Sequence, residues 1–233
     1  MYADDITLFV SDVESANVVL NTFNKFSEIS GLKLNRSKTE VMWIGSDRGR
    51  KDTPLDLIWK NAIKITGIVF SYSDQLREQN YIQPLNKLKL KLNIWKMRDL
   101  SLLGKIQIVK TYGISQLLFV SNMIGLPKHV IVEANKYLYG FIWNGQDKVK
   151  RASSIANYSD GGLKMMDLNC MLIAQKVMWI KRYLLEYDHP WKTYFASLLR
   201  PLGENYILNG NLDMSSCNYF PLFYKEILDI KIQ

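Results

Sequence analysis

The stretch MYADDITLFVSDVESANVVLNTFNKFSEISG, residues 1–31, sets the fold class because several local signals follow one another in it. Two adjacent aspartates, Asp4 and Asp5, stand at a turn. Ile6 to Val10 is β-branched and aromatic, the composition of a short strand. Ser11, Asp12, Val13 and Glu14 then spell S-x-x-E, a capping box that satisfies free amides at a helix start. Behind it Val13, Ala16, Val19, Leu20, Phe23 and Phe26 recur at helical spacing, and Gly31 supplies the left-handed residue that closes many helices. Further on, Thr39 to Ile44 and Ile63 to Phe70 read as two more strands, separated by the polar residues 45–54. The first seventy residues thus predict strand, helix, strand, strand.

The character then changes. From Tyr81 to Gly140 the pattern is helical, broken at Gly125-Leu126-Pro127. Leu85, Leu88, Leu92 and Trp95 fall at steps of three and four and predict a buried stripe. Lys87, Lys91 and Arg98 flank that stripe on one side, Lys89 and Lys96 on the other. Between Tyr81 and Lys110 stand seven Lys or Arg (87, 89, 91, 96, 98, 105 and 110) against one acid, Asp99, a local balance of +6. Asp160-Gly161-Gly162 is a turn signal between two short expected strands, Ser154 to Tyr158 and Leu163 to Met166. Leu168 to Glu186 is a further helix, with Ile173, Val177, Ile180 and Leu184 in register. Residues 201–233 carry no motif. The fold class expected is α+β with a mostly helical second part.

The 233 residues are 48% hydrophobic and 12% aromatic, enough for one or two globular domains. A net charge of +8 favours polyanionic partners such as nucleic acid. Cys170 and Cys217 form no CxxC and, with only His129 and His189, no zinc site; both are read as buried thiols in a reduced, intracellular setting. The start lacks a secretory pattern. The longest apolar stretch, Ile114 to Leu126, is short and carries Ser115, Gln116, Ser121 and Asn122, so a buried helix is expected and no membrane span.

Two acids at a tight turn suit a hard divalent cation. Mg²⁺ takes oxygen ligands and keeps waters, so one or two carboxylates plus substrate phosphates serve it. Enzymes that join nucleotides hold two such ions on the order of 4 Å apart, one sharpening the attacking hydroxyl and one steadying the leaving group.

The motifs taken in order resemble the reverse transcriptases (RNA-directed DNA polymerases) of LINE-type, non-LTR retrotransposons. Tyr2-Ala3-Asp4-Asp5 with its strand and capped helix, followed by GLKLNRSKTEVMWIG, is similar to the palm. IKITGIVF sits where that family has its primer grip. IWKMRDLSLLGKIQIVKTYGISQLLFVSNMIGLP, FIWNGQDKVKRA and GGLKMMDLNCMLIAQKVMWIKRYL resemble its thumb and the segment after it. The likeness runs from Met1 to about Leu199. It implies a partial palm over residues 1–73, a helical thumb over 74–143 and a connection-like segment over 144–233.

The resemblance also implies roles. Asp4 and Asp5 would bind the catalytic Mg²⁺ ions, with Asp4 the stronger ligand. Tyr2 would lie beneath the primer end. Lys38 would neutralise the departing pyrophosphate, since an ammonium there lowers the charge cost. Gly67 would let the primer-grip backbone approach closely, with Thr66 where leucine is more usual. Lys87, Lys91, Lys96, Arg98, Lys105 and Lys110 would hold the nucleic-acid backbone. Trp95 and Trp143 are in apolar register and read as core. The partners implied are an RNA template, a DNA primer and deoxynucleotides. A family polymerase also needs fingers and an upstream palm aspartate, so these residues alone are expected not to polymerise. The alternatives are a non-catalytic nucleic-acid-binding remnant and a product without function.

Overall fold

A computed structural model of the chain describes residues 6–185, 187–203 and 214–229. It is an α+β protein, mostly helical, that divides into two units, Met1–Ile82 and Gln83–Gln233.

In the first unit residues 6–10 belong to no strand. This corrects the expected strand. A strand exists only through a ladder with a neighbour, and the described strands of this unit pair among themselves. Helix α1 (Val13–Ser30) follows. Its cap is Asp12, one residue later than the capping-box reading: the Asp12 carboxylate accepts the Ser15 N–H at 2.6 Å. Gly31 ends it at φ 74°, donating its N–H to the Ser27 carbonyl. Leu20 is buried at the centre of the apolar face, and Phe26 remains half exposed.

The segment expected as one strand over Thr39 to Ile44 shortens to β1 (Glu40–Val41), parallel to β2 (Ile58–Trp59). Beyond β1 the chain turns so that Trp43 stacks on Trp59, ring centroids 4.4 Å apart. The expected strand Ile63 to Phe70 folds back on itself as a hairpin of β3 (Ala62–Ile65) and β4 (Ile68–Ser71). Thr66 and Gly67 form its tip at φ 47° and 92°. Two successive positive φ values are the geometry that matches strand twist in a two-residue turn. Ile65 and Ile68 pair beside the turn, so Val69, opposite Lys64, points its amide and carbonyl away from the hairpin. Asn80 meets both: its Oδ1 accepts from Val69 N–H and its Nδ2 donates to Val69 carbonyl, each at 2.8 Å. This buried amide closes the hairpin edge onto helix α2 (Asp74–Lys96).

The second unit takes over along α2. Leu85, Leu88 and Leu92 are buried as the spacing predicts, while Trp95 is only half-buried. Then come α3 (Leu102–Ile108), a π-helical segment Val109–Gly113, α4 (Ser115–Ile124) and α5 (Lys128–Trp143). The break between α4 and α5 falls at Gly125-Leu126-Pro127, as read. Gly125 has φ 71°, and a Cβ on it would lie 2.4 Å from a Glu226 carboxylate oxygen. No described helix is long and apolar enough to cross a membrane.

After α5 the two expected strands around Asp160-Gly161-Gly162 are absent. Ser154 lies in helix α6 (Arg151–Ile155), and residues 163–166 form no strand. The turn itself is present. Gly161 adopts φ 73°, and a Cβ on Gly162 would meet the Ala156 carbonyl oxygen at 2.0 Å. Helix α7 (Leu168–Leu184) forms, but its expected face is reversed: Ile173, Val177 and Leu184 are exposed. The packed side carries polar anchors. Gln175 accepts from Ser121 Oγ at 2.7 Å and donates to the Leu118 carbonyl at 3.1 Å, and Trp179 Nε1 donates to Asn122 at 2.9 Å. Lys176 is buried, its ammonium 3.0 Å from Glu226 and 4.4 Å from the Phe223 ring centroid. Cys170 is exposed, contrary to expectation; Cys217 is buried.

The motif-free tail closes the structure. Helix α8 (Pro190–Leu199), residues 214–220 and helix α9 (Leu222–Asp229) enclose Phe195, Leu199, Cys217, Phe220 and Leu228. Tyr224 stacks on Phe195 at 5.0 Å, and Tyr183 meets it edge-on at 4.9 Å.

Candidate nucleic-acid interface

On α2, residues 87, 91 and 95 succeed one another at i+4 and share one side of the helix. Lys87 is exposed and Lys91 half-buried. Neither has an ion-paired or hydrogen-bonded side-chain partner among the described residues. Past the end of α2 the chain bends back, with the Arg98 N–H bonded to the Trp95 carbonyl at 3.1 Å. That bend sets the Arg98 guanidinium 4.9 Å from the Trp95 ring centroid, within reach of the ring's negative face.

The third member of this cluster was not legible in the sequence. Tyr112 is 46% exposed, and its ring lies 5.5 Å from that of Trp95 at 34°. It belongs to the π-helical segment, whose wider turn shifts the side-chain phase relative to the helix on either side. Gly113, the last residue of that segment, packs against α2 and α5. A Cβ there would stand 3.2 Å from Leu138 and 3.4 Å from Leu88. The missing side chain lets the π turn approach α2, which holds Tyr112 beside Trp95. The resulting face is cationic and aromatic: Lys87, Lys91, Trp95, Arg98 and Tyr112.

The remaining predicted cations do not all join it. Lys105 is half-buried and donates to Asn144 Oδ1 at 2.7 Å, next to the C-terminus of α5, where Asn144 is the left-handed cap. Its charge answers the carbonyl end of that helix. Lys96 is exposed and Lys110 half-buried, both without a side-chain partner among the described residues. Lys89, on the opposite flank of α2, lies 5.6 Å from the Tyr137 ring centroid. The Tyr137 hydroxyl donates to Glu133 at 2.6 Å, and this bond, with partial burial, holds its pKa above the usual phenol value. Trp143 is half-buried at the end of α5, its indole N–H without a hydrogen-bond partner among the described residues.

In the first unit Lys38 is exposed on a turn whose N–H bonds to the Asn35 carbonyl at 3.0 Å. Gly67 is exposed at the tip of the β3–β4 hairpin. Tyr2, Asp4 and Asp5 lie outside the described residues. Among the described residues, no three or more His, Cys, Asp or Glu gather as a metal site.

Fold and face together define an α+β protein whose helical unit presents cations without ion-pair partners among the described residues beside the half-buried Trp95 and the exposed Tyr112. No protein-family model matches the chain.

Proposed function

We propose that this chain is the palm-to-thumb part of a LINE-type reverse transcriptase and that its helical unit binds nucleic acid. The observation that carries the reading is the order of motifs: the Tyr2–Asp5 doublet motif, GLKLNRSKTEVMWIG, IKITGIVF and the thumb-like run, in one succession along 199 residues. Two structural features support it. IKITGIVF is a tight hairpin with a glycine at its tip, a shape that offers backbone to a ligand. The helix after it carries Lys87 and Lys91, and the bend that follows carries Arg98, all without acidic partners among the described residues.

On this reading Asp4 and Asp5 are hard oxygen donors of the kind Mg²⁺ takes. Bound there, Mg²⁺ would sharpen a primer 3′-hydroxyl and steady the leaving pyrophosphate. Tyr2 would support the primer end, Gly67 would approach its backbone, and Lys38 would meet the departing charge. The exposed cations favour nucleic-acid binding even where these residues do not catalyse.

A fluorescently labelled RNA–DNA hybrid titrated with the protein tests the reading. Binding is expected at low salt, with the logarithm of the association constant falling linearly as the logarithm of salt rises. Failure to bind at low salt overturns it. In parallel, the 233 residues alone are expected not to extend a primer with Mg²⁺ and deoxynucleotides. Extension lost on Asp4→Asn would instead show a working site.

A further inference from the structure

We propose that Trp95, Arg98 and Tyr112 form a seat for one unpaired nucleobase, to which Lys87 and Lys91 lead the adjoining phosphates of a single strand. The proposal rests on reading the helical unit as nucleic-acid binding, and it narrows the ligand to a strand with an open base.

Within a duplex each base is already stacked on its neighbours, so an exposed aromatic cluster gains little from it. An unpaired base offers a free π face, and rings or a guanidinium plane at a protein surface take such faces without regard to sequence. Tyr112 is nearly half exposed, and Arg98 lies against Trp95 with its outer surface open to solvent.

Lys87, Lys91 and Arg98 form no ion pair among the described residues, and the adjacent acid, Asp99, is exposed and pairs with none of them, which leaves three cations against one carboxylate. Lys87 and Lys91 are one helical turn apart and Trp95 the next turn along, about 6 Å per step. A row of cations ending at aromatic rings matches a backbone of phosphates with a base turned toward the protein.

The π-helical segment Val109–Gly113 interrupts two ordinary helices at the point where Tyr112 must reach Trp95. A regular helix through these residues would carry Tyr112 to a different phase. π-helical insertions are rare and frequent at binding sites.

The test compares a labelled oligothymidylate with a labelled RNA–DNA hybrid by fluorescence anisotropy, using the full chain. Tyr112→Leu is expected to weaken the oligothymidylate roughly 5- to 100-fold and the hybrid less than about twofold, with the salt slope unchanged. Tyr112→Phe is expected to bind like the original, because stacking needs the ring and not the hydroxyl. Arg98→Ala is expected to weaken the oligothymidylate and to flatten its salt slope by about one. Arg98 is exposed, so this variant carries the test should Tyr112→Leu fail to fold. If the original protein binds both ligands and Tyr112→Leu or Arg98→Ala affects them equally or not at all, the seat is wrong while nucleic-acid binding stands. If the original binds neither ligand, both readings fall.

Discussion

The two units differ in how they are held together. The second buries many apolar side chains, Leu88, Leu92, Ile106, Leu117 and Leu138 among its earlier helices and Phe195 and Leu199 in a C-terminal cluster. The first buries Leu20 and Ile68 and leaves Ile6, Phe9, Val18, Ile29 and Leu32 mostly exposed. Its order comes instead from directed contacts: the Asp12 cap, the Asn80 clasp, the Trp43–Trp59 stack and the Lys60–Glu40 ion pair. Apolar burial is non-directional and accumulates over many residues, whereas each hydrogen bond depends on two particular atoms. Packing losses should therefore dominate in the second unit and single polar losses in the first.

The largest effect is expected in the second unit. Phe195→Ala removes a buried ring stacked on Tyr224 and met edge-on by Tyr183, at a cost of about 3–5 kcal/mol. Chemical denaturation followed by far-ultraviolet circular dichroism measures it. A cost below about 1 kcal/mol would mean that the C-terminal cluster is not a true core.

Next comes Asn80→Ala, which strands the Val69 amide and carbonyl at a hairpin edge and is expected to cost about 1–3 kcal/mol. Hydrogen exchange at the Val69 amide reads the same event locally. If protection there survives the substitution, the clasp contributes nothing and the comparison between the units weakens.

A smaller change of opposite sign is expected at Thr66. A β-branched residue is held there at φ 47°, a region that Asn tolerates better. Thr66→Asn should stabilise the hairpin by roughly 1 kcal/mol, seen as a rise in melting temperature. A fall would argue that the threonine side chain holds the turn by another contact.

The least effect concerns acid. Asp12 has its pKa held below the usual carboxylate value, first by the Ser15 amide bond and then by the Ser11 and Ser15 hydroxyls. A lowered folded pKa means the cap contributes fully above the ordinary carboxylate pKa and fades as pH falls through the lowered one. Asp12→Asn keeps the cap without the charge, so α1 in that variant should lose less helicity between neutral and strongly acidic pH. Equal losses in both proteins would show that Asp12 does not set the acid response.

The candidate interface divides along the same line between local and long-range information. Lys87 and Lys91 were readable as one flank of α2 because a regular helix fixes their phase, whereas Arg98 lies past the end of α2 and reaches the same side through the bend that follows. Tyr112 was not, since its direction depends on a π turn that helical periodicity cannot foresee. Lys105 looked like its neighbours in sequence, and only the arrival of Asn144 from the end of α5 gives it a partner.

What the sequence by itself determined is local. The capped helix α1 ending at Gly31, the buried stripe of Leu85, Leu88 and Leu92, and the break at Gly125-Leu126-Pro127 all follow from signals within a few residues of one another. Tertiary structure decided what requires a distant partner. The hairpin over Ile63 to Phe70 turns at Thr66-Gly67, and its outward edge at Val69 is satisfied only by Asn80, which comes from α2. Residues 6–10 remained outside the sheets because no described strand offers them a ladder. Helix α7 has apolar residues on more than one side, and the side that packs is the one whose Gln175, Lys176 and Trp179 find partners on α4 and α9. Buried polar groups must be satisfied wherever they fall, and the periodicity of one helix does not contain the positions of the groups that satisfy them.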